Sequence, residues 1–337
     1  MIKIQQEVPL RSRNTFGIAA TASVYVETDT IDELADYVRS LSKPDKTLIL
    51  GGGSNILFAS ERCQCVIHPA IKGIDVVEET DGHVLIRVGA GEIWDEFVAW
   101  CVQRNYAGVE NLSNIPGTVG ACPIQNIGAY GAEAKETIET VEAIDMVDKQ
   151  TMTFSKNQCC FDYRDSFFKQ NKGKYIITAV CFRLSKNFIP NLKYADLQNE
   201  LSGETDIDVK KIRQAVTNIR SRKLPDFSEL GNAGSFFKNP TICYEKSQII
   251  KQKDPKAPIY PASNGLFKIS AAWLIRQCDW SNFREGNVGV HKQQPLVIVN
   301  YGNATGKEVI QLADRICSSV LEKFDIEMEK EVNIVLG

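Results

Sequence analysis

The feature that most constrains the fold of this chain is a long segment rich in glycine, residues 111–131. It reads NLSNIPGTVGACPIQNIGAYG and contains Gly117, Gly120, Gly128 and Gly131 together with two prolines. Glycine adopts backbone conformations that are closed to other residues and proline interrupts helices and strands, so regular structure is disfavoured here. Long irregular segments inside compact domains usually serve a function. The segment therefore predicts a cradle-like loop that holds a ligand.

A second glycine cluster, GGGSN at residues 51–55, follows the apolar segment Leu48–Leu50. Successive backbone N–H groups in such a turn form an anion-binding nest. A Rossmann fingerprint would need a further glycine where Ile56 stands and an immediate helix, whereas the sequence continues as a strand. The cluster is thus either a tight turn between strands or a ligand loop. Two glycine-rich segments in one region favour a shared dinucleotide.

Length and charge narrow the class of protein. The chain has 337 residues, enough for two or three domains. Its 39 basic and 42 acidic residues give a net charge of −3, which provides no global positive field for nucleic acid or anionic lipid. The three histidines are too scattered for a metal site, so we expect none.

Hydropathy and cysteine usage indicate the cellular compartment of the protein. No apolar run approaches the roughly 18 residues of a membrane span, and no signal-peptide pattern is visible at the N-terminus. The ten cysteines form no CxxC pair, which is typical of free thiols in a reducing compartment. We expect a cytoplasmic monomer that binds neither membrane nor nucleic acid.

Periodicity outlines the secondary structure. Capping boxes begin helices at Thr30-x-x-Glu33 and Thr305-x-x-Glu308. Apolar residues at helical spacing predict further helices near residues 93–101, 208–219 and 272–278. Alternating or continuous apolar runs predict strands at residues 24–28, 48–50, 84–89, 141–146, 175–184 and 331–336.

Four polar features are candidates for chemistry, each with a structural alternative. Arg164 lies between acids in DYRDS, which suits planar recognition of a carboxylate but also describes a surface salt bridge. Ser235, in GNAGSFFKNP, is placed to donate a proton, although a structural turn serine is the stronger reading from the residues alone.

The other two features are a basic cluster and a carboxylate. Arg220, Arg222 and Lys223 suit a diphosphate and equally suit a solvated helix end. Glu331 begins an apolar strand, where partial burial would shift its pKa, or it is merely an exposed strand position.

Several segments, in their order and spacing, together closely resemble the UDP-N-acetylenolpyruvoylglucosamine reductase family. The segment KYADL (193–197) resembles the tyrosine-bearing loop of the longer subtype of that family. The match covers essentially the whole chain. The segments are NTFG (14–17), GGGSN (51–55), NIPGTVGACPIQNIGAYG (114–131), YRDS (163–166), KLPD (223–226), GNAGSFFKNP (231–240), AAWLIRQ (271–277), HKQQ (291–294) and EV (331–332).

The resemblance implies an α+β fold and a division into domains. Two FAD-binding subdomains of the vanillyl-alcohol-oxidase-like (PCMH-type) class would occupy residues 1–70 and 71–222. A C-terminal α+β substrate-binding domain would occupy residues 223–330, with residues 331–337 packing back as a strand. FAD would be held noncovalently, with NADPH as reductant and a UDP-sugar enolpyruvyl ether as substrate.

The resemblance also assigns roles. Ser235 becomes the proton donor, and Arg164 and Glu331 stabilise the intermediate. The substrate-binding residues become Tyr194, Arg220, Lys223, Asn239 and Gln294. The cofactor-binding residues become Gly51, Gly52, Gly53, Ser54, Asn55, Ile115, Pro116, Gly117, Gly120, Asn126, Gly128 and Tyr130.

Two positions depart from the family pattern. Asn333 stands where many relatives carry arginine, which removes a positive charge near Glu331. Cys122 replaces a small alanine or serine in the flavin loop, a mild change in volume.

Two other functions fit parts of the sequence. The glycine loops alone also suit a flavin oxidase of alcohols or sugars, which would ignore NADPH and react rapidly with oxygen. A noncatalytic UDP-sugar or nucleotide-binding module would need the loops and the basic cluster without Ser235, and it would be colourless.

Overall fold

The computed structural model describes residues 2–41 and 46–336, apart from the side chain of Ser263. Its α-helices are α1 (Ile31–Ser40), α2 (Trp94–Gln103), α3 (Phe167–Gln170), α4 (Ala195–Glu200), α5 (Val209–Lys223), α6 (Tyr244–Lys253), α7 (Ala271–Gln277) and α8 (Gly306–Phe324).

The strands in the described ranges are β1 (Lys3–Pro9), β2 (Thr21–Thr28), β3 (Thr47–Ile49), β4 (Ile56–Phe58), β5 (Arg62–Pro69), β6 (Ile74–Glu79), β7 (His83–Gly89), β8 (Gly128–Ala129), β9 (Ala132–Glu133), β10 (Ile138–Asp145), β11 (Thr151–Ser155), β12 (Tyr175–Ser185), β13 (Gly231–Asn232), β14 (Thr241–Ile242), β15 (Ile259–Pro261), β16 (Phe267–Ile269), β17 (Arg284–Glu285), β18 (Val288–Val290), β19 (Ile298–Asn300) and β20 (Asn333–Val335).

The chain divides into two compact units. The first takes Met1–Val8, Thr21–Gly53 and Arg62–Arg222, and the second takes Pro9–Ala20, Ser54–Glu61 and Lys223–Gly337. Helices and strands mix in both units, as the predicted α+β class requires. None of the helices in the described ranges has the length and apolar character that crossing a bilayer demands.

In the first unit a four-stranded sheet has the order β1-β2-β5-β3, with β2 and β3 both parallel to β5. Helix α1 connects β2 to β3, as parallel strands require a crossover. Its apolar residues Leu34, Ala35 and Val38 are buried against Val26 and Ile67 of the sheet. The Thr30 side chain accepts from the Glu33 backbone N–H, which confirms the predicted helix start.

The larger sheet of the first unit is antiparallel, in the order β11-β10-β12-β7-β6. Helix α2 covers it, because Trp94 and Phe97 are fully buried against Phe182 of β12. Aromatic rings contribute the largest area per residue to such a core. This packing fixes the N-terminal end of α2, which borders the glycine-rich segment.

Helices α4 and α5 form a separate apolar cluster in the first unit, with Leu197, Ile212, Val216 and Ile219 buried. Helix α5 continues to Lys223, four residues beyond the predicted end at Ile219. Arg220, Arg222 and Lys223 are good helix formers, and the helix ends before Leu224 because the residue before a proline avoids helical conformation.

The second unit holds an antiparallel sheet in the order β13-β19-β18-β17 and a small sheet in the order β14-β16-β15. Helix α8 buries Val309, Leu312, Ile316 and Val320. Its predicted capping box between Thr305 and Glu308 is present in full.

The C-terminal strand β20 pairs in parallel with β4 in the second unit. It spans Asn333–Val335, so the prediction of a strand that already begins at Glu331 was wrong. The N–H of Glu331 instead bonds the carbonyl of Phe236, outside that ladder.

Candidate functional site

The two glycine-rich segments meet in the first unit. A Cβ on Gly52 would lie 2.9 Å from the Cα of Gly117, and one on Gly51 would lie 2.7 Å from Oγ1 of Thr118. Contacts this short leave no room for a side chain at either glycine unless the neighbouring atoms shift. The two segments are therefore in direct contact, and their service to one site stays a prediction.

The backbone around this contact is held in place and leaves donors available. Val119 and Gly120 donate to the carbonyls of Glu92 and Ala90 at 2.8 and 2.9 Å. Within the described ranges, the N–H groups of residues 51–53 make no hydrogen bond to another residue. Adjacent backbone donors beside glycines form the kind of concavity that binds phosphate oxygens.

Ile115 and Pro116 lead into this contact and differ in exposure. Ile115 is half-buried against the core of the first unit, and Pro116 is exposed. Cys122, farther along, is buried, and burial raises the pKa of its thiol well above the ordinary value. Its thiol accordingly behaves as a small apolar core side chain.

Asn126 holds the C-terminal part of the glycine-rich segment in place through hydrogen bonds of its buried side chain. It is fully buried with a φ of 45°, and its amide donates to Glu133 and to the carbonyl of Asp162, both at 3.0 Å. Its Oδ1 accepts from the N–H of Lys135 at 2.9 Å. These bonds make Asn126 a brace between the segment and the turn that carries Arg164.

Arg164 lies on a tight turn closed by two backbone bonds between Asp162 and Asp165, at 3.0 and 3.2 Å. Its φ of 52° is unusual for a residue with a side chain. Its guanidinium donates to the carbonyl of Gly128, and a Cβ on Gly128 would lie 2.8 Å from Nη1. Gly128 is thus needed to admit the guanidinium.

Arg220 lies near Arg164 in the same unit. Burial lowers the pKa of Arg220, and the positive charge of Arg164 acts in the same direction, while Tyr130 and Asp95 oppose the shift. The Nε of Arg220 donates to the carbonyl of Asn114 at 2.9 Å. Arg164 and Arg220 are thus two cations of the same unit, and a backbone carbonyl of the glycine-rich segment holds each of them.

Two tyrosines border these cations. The rings of Tyr130 and Tyr194 stand edge to face, with centroids 5.3 Å apart. Burial raises the pKa of Tyr130 to about 12, so its hydroxyl keeps its proton at neutral pH. Tyr194 caps the start of α4, so the predicted tyrosine-bearing loop ends as a helix begins.

In the second unit, Ser235 precedes two buried rings. Phe236 and Phe237 are 0% and 1% exposed, and Phe236 packs edge to face on Phe16 with centroids 6.4 Å apart. Phe236 exchanges backbone bonds with the Leu296 carbonyl at 2.7 Å and the Glu331 N–H at 2.8 Å. Ser235 is therefore half-buried on a rigid segment that is paired with the segment of Glu331.

The segment of Glu331 is held from its other side by Asn55. The Asn55 amide donates to the carbonyl of Glu331 at 3.4 Å. The carbonyl of Asn55 accepts from the N–H of Asn333 at 3.1 Å and from its side chain at 3.2 Å. Asn333, which departs from the family pattern, thus serves as a clamp on the residue that ends GGGSN.

The NTFG segment braces the loop of Ser235. The Thr15 hydroxyl donates to the carbonyl of Asn232 at 2.7 Å, and the N–H of Asn232 donates to the carbonyl of Thr15 at 3.0 Å. Asn14 is buried and bonds the backbone of Leu10 and Ile18. These bonds explain how the NTFG segment, which is far from Ser235 in the sequence, supports the loop that carries Ser235.

The remaining predicted substrate residues lie at other places on the second unit. The Oδ1 of Asn239 accepts from the N–H of Ala271 at 2.9 Å, at the start of α7. Gln294 is half-buried in the turn between β18 and β19, and Lys223 is exposed at the end of α5.

The sequence analysis missed Asp95 and Asn114. Asp95, on the first turn of α2, accepts from both Nη atoms of Arg213 at 2.7 and 2.8 Å and from the N–H of Asn114 at 2.5 Å. An acid in the first turn looks like ordinary complementation of the helix dipole. The signal that distinguishes it, a contact with a residue far along the chain, is absent from local sequence.

Two family profiles match the chain. Residues 22–153 match an FAD binding domain, so the chain carries one in its N-terminal part. Residues 226–335 match the C-terminal domain of UDP-N-acetylenolpyruvoylglucosamine reductase.

Full-length relatives carry the same name. UDP-N-acetylenolpyruvoylglucosamine reductase of Amoebophilus asiaticus is 46% identical, covering 98% of this chain and 99% of its own length. That of Neisseria gonorrhoeae is 45% identical over 99% of this chain and 98% of its own. The solved structure of the Thermus caldophilus reductase matches with a TM-score of 0.70 at 23% identity, covering 99% of both chains, which supports the predicted fold class. The chain therefore belongs to the UDP-N-acetylenolpyruvoylglucosamine reductase family of oxidoreductases.

Proposed function

We propose that this protein uses NADPH, through bound FAD, to reduce the enolpyruvyl ether of UDP-N-acetylglucosamine enolpyruvate to UDP-N-acetylmuramate. The observation that carries the proposal is the backbone pairing of the Ser235 segment with the Glu331 segment, inside a region that matches the reductase C-terminal domain. It joins a hydroxyl that can donate a proton to a carboxylate that can orient it.

The residues present fit FAD. The absence of side chains at Gly52 and Gly117 supports close approach of a pyrophosphate to the backbone, and successive backbone N–H groups suit its oxygens. We propose that residues 51–55 and 115–130 hold the cofactor. FAD, when bound, supplies hydride transfer between NADPH and the methylene carbon of the enolpyruvyl ether.

Arg164 is proposed to stabilise negative charge on the carbon that bears the substrate carboxylate. Its turn and the Gly128 carbonyl fix the guanidinium before the substrate arrives. A preorganised donor of this kind typically contributes about a hundredfold or more in rate. The planar fork of arginine matches a carboxylate better than a lysine ammonium does.

Ser235 is proposed to donate the proton that completes the reduction, at that same carbon. A positioned acid contributes roughly 10²- to 10⁴-fold to such a step. The buried rings of Phe236 and Phe237 hold the serine and keep water from one side of its backbone. Glu331 is proposed to orient the hydroxyl and to stabilise the intermediate.

Five further residues are proposed to bind the remaining parts of the substrate. We propose that Arg220 and Lys223 contact the diphosphate, and that Tyr194, Asn239 and Gln294 contact other parts of the UDP-sugar. The two cations suit a phosphate chain, and Tyr194 offers a ring and a hydroxyl beside Tyr130. We propose that the reaction serves peptidoglycan precursor synthesis and takes place in the cytoplasm. We also propose that the protein acts as a monomer.

The test is an assay with purified protein, NADPH and the UDP-linked enolpyruvyl sugar. We expect a yellow protein whose NADPH consumption requires the sugar, and a product heavier by two hydrogen atoms in a mass spectrum. A colourless protein would favour the nucleotide-binding module. A flavin that ignores NADPH and is rapidly reoxidised by oxygen would favour a sugar or alcohol oxidase.

A further inference from the structure

Asp95, on α2, joins two groups that come from two other parts of the first unit. Its carboxylate accepts from Nη1 and Nη2 of Arg213 on α5 at 2.7 and 2.8 Å. It also accepts from the backbone N–H of Asn114 at 2.5 Å. Bidentate pairing with a guanidinium fixes direction as well as distance. Asp95 therefore holds α5 and the start of the glycine-rich segment at the same time.

Asn114, whose N–H bonds Asp95, bonds Arg220 through its carbonyl, which belongs to the next peptide group. Asn114 has a φ of 58°, and its carbonyl accepts from Nε of Arg220 at 2.9 Å. Ile115 and Pro116 follow directly along the chain. A shift of Asn114 would consequently move both the entry to the glycine-rich segment and the guanidinium of Arg220.

The electrostatics of the four groups are consistent with this arrangement. Burial alone would raise the pKa of Asp95, but hydrogen bonds from Arg213 and Asn114, with the charges of Arg213 and Arg220, lower it. Asp95 in turn opposes the lowering of the Arg220 pKa by burial. The carboxylate stays ionised, and its charge offsets part of the cost of burying the neighbouring guanidinium.

We propose that Asp95 is a positioning residue that sets the Arg220 guanidinium for an anionic group of the substrate, acting through the backbone on both sides of the Asn114 Cα and anchored by Arg213. The inference rests on the proposed function, because Arg220 is there assigned to the substrate. It adds that binding depends on a carboxylate that reaches the substrate only through Asn114 and Arg220.

A purely structural ion pair is the alternative, and the chain offers a matched control for it. Arg87 and Glu142 form a bidentate pair in the antiparallel sheet of the same unit, with Nε and Nη2 at 2.8 and 2.6 Å from the carboxylate. The Arg87 and Glu142 side chains are 28% and 22% exposed, close to 23% for Arg213 and 33% for Asp95. Loss of either pair should destabilise the fold similarly, but only loss of the Asp95 pair should affect the substrate.

The experiment compares Asp95→Asn with Glu142→Gln in the FAD-loaded enzyme. The dissociation constant of the UDP-linked enolpyruvyl sugar is measured from the change in the flavin spectrum of oxidised enzyme, alongside KM, kcat and the melting temperature. We expect Asp95→Asn to raise the dissociation constant and KM about tenfold, with a smaller change in kcat. Glu142→Gln should leave both constants near the wild-type values.

A double-mutant cycle tests whether Asp95 acts through Arg220. Asp95→Asn combined with Arg220→Lys should weaken binding by clearly less than the product of the two single effects. Additive effects, or an unchanged dissociation constant in Asp95→Asn, would overturn the proposal. If Asp95→Asn does not fold, Arg213→Lys keeps the charge, loses the fork and should show the same pattern in weaker form.

The failure of this proposal differs from that of the proposed function. A wild-type enzyme that binds and reduces the sugar, beside an Asp95→Asn variant that binds equally well, refutes the role of Asp95 alone. A wild-type enzyme that does not bind the sugar refutes the proposed function and this role together.

Discussion

The backbone carbonyl of Phe236 accepts a 2.8 Å hydrogen bond from the backbone N–H of Glu331. This bond joins the segment of the proposed proton donor, Ser235, to that of the proposed orienting carboxylate. Asn55 clamps the Glu331 segment from the opposite side. These bonds fix the backbone of both segments, which suits chemistry that depends on geometry.

The brace on the serine loop gives a first prediction. Thr15→Val removes the 2.7 Å bond to the Asn232 carbonyl and should cost about 1 kcal/mol of unfolding free energy. Because the serine loop then loses a support, the rate of substrate reduction should fall more than that of flavin reduction by NADPH. Stopped-flow absorbance of each half-reaction measures this. Thr153→Val, on an exposed strand, is the control and should change neither rate.

The contact between the glycine segments gives a second prediction. Gly52→Ala places a methyl group 2.9 Å from the Cα of Gly117, which should destabilise the protein by about 1–3 kcal/mol. FAD retention after gel filtration should fall as well. Gly82→Ala, whose Cβ meets no described atom within 4 Å, should retain FAD. Equal retention by the two variants would argue against a cofactor cradle at this contact.

Arg164→Lys should slow reduction of the enolpyruvyl substrate by about tenfold or more, because a point charge does not reproduce the planar fork. Reduction of the flavin by NADPH should change little. Arg183→Lys, in an exposed ion pair with Glu139, is the matched control. Full turnover by Arg164→Lys would contradict direct stabilisation of the substrate carboxylate.

Asp95 also predicts a pH dependence of stability. Its folded pKa lies below the ordinary value of 3.8, so its contribution is fully present above that value and is lost as pH falls through the folded pKa. Asp95→Asn should thus lower the free energy of unfolding at pH 6 and have a smaller effect near the acid end. Urea titrations of the variant and of the wild type, from pH 6 down to the acid end, measure the difference in their free energies of unfolding. A constant difference at every pH would show that the charge of Asp95 contributes nothing.

Local sequence was enough for the elements that carry their own signals. Capping boxes located α1 and α8, apolar spacing located α2, and the continuation of GGGSN into β4 correctly argued against a Rossmann turn. Ser235, Arg164 and Glu331 were identified through family resemblance, since each residue alone had an ordinary structural explanation. Their assigned roles remain predictions.

Backbone contacts between distant segments could not be predicted from the sequence. The bond from Arg220 to the Asn114 carbonyl and the clamp of Asn333 on Asn55 depend on pairings between distant segments, and backbone acceptors carry no residue signature. The end of α5 was misplaced because charged residues after Ile219 looked like a linker, although they are good helix formers.

The central claim is best tested by separating the two half-reactions of Ser235→Ala under anaerobic conditions. NADPH should bleach the flavin of the variant at nearly the wild-type rate. Reoxidation by the UDP-linked enolpyruvyl sugar should then be slower by roughly 10²-fold or more, because only this step requires the proton. Reoxidation at the wild-type rate, or equal slowing of both steps, would contradict the assignment of Ser235 as proton donor.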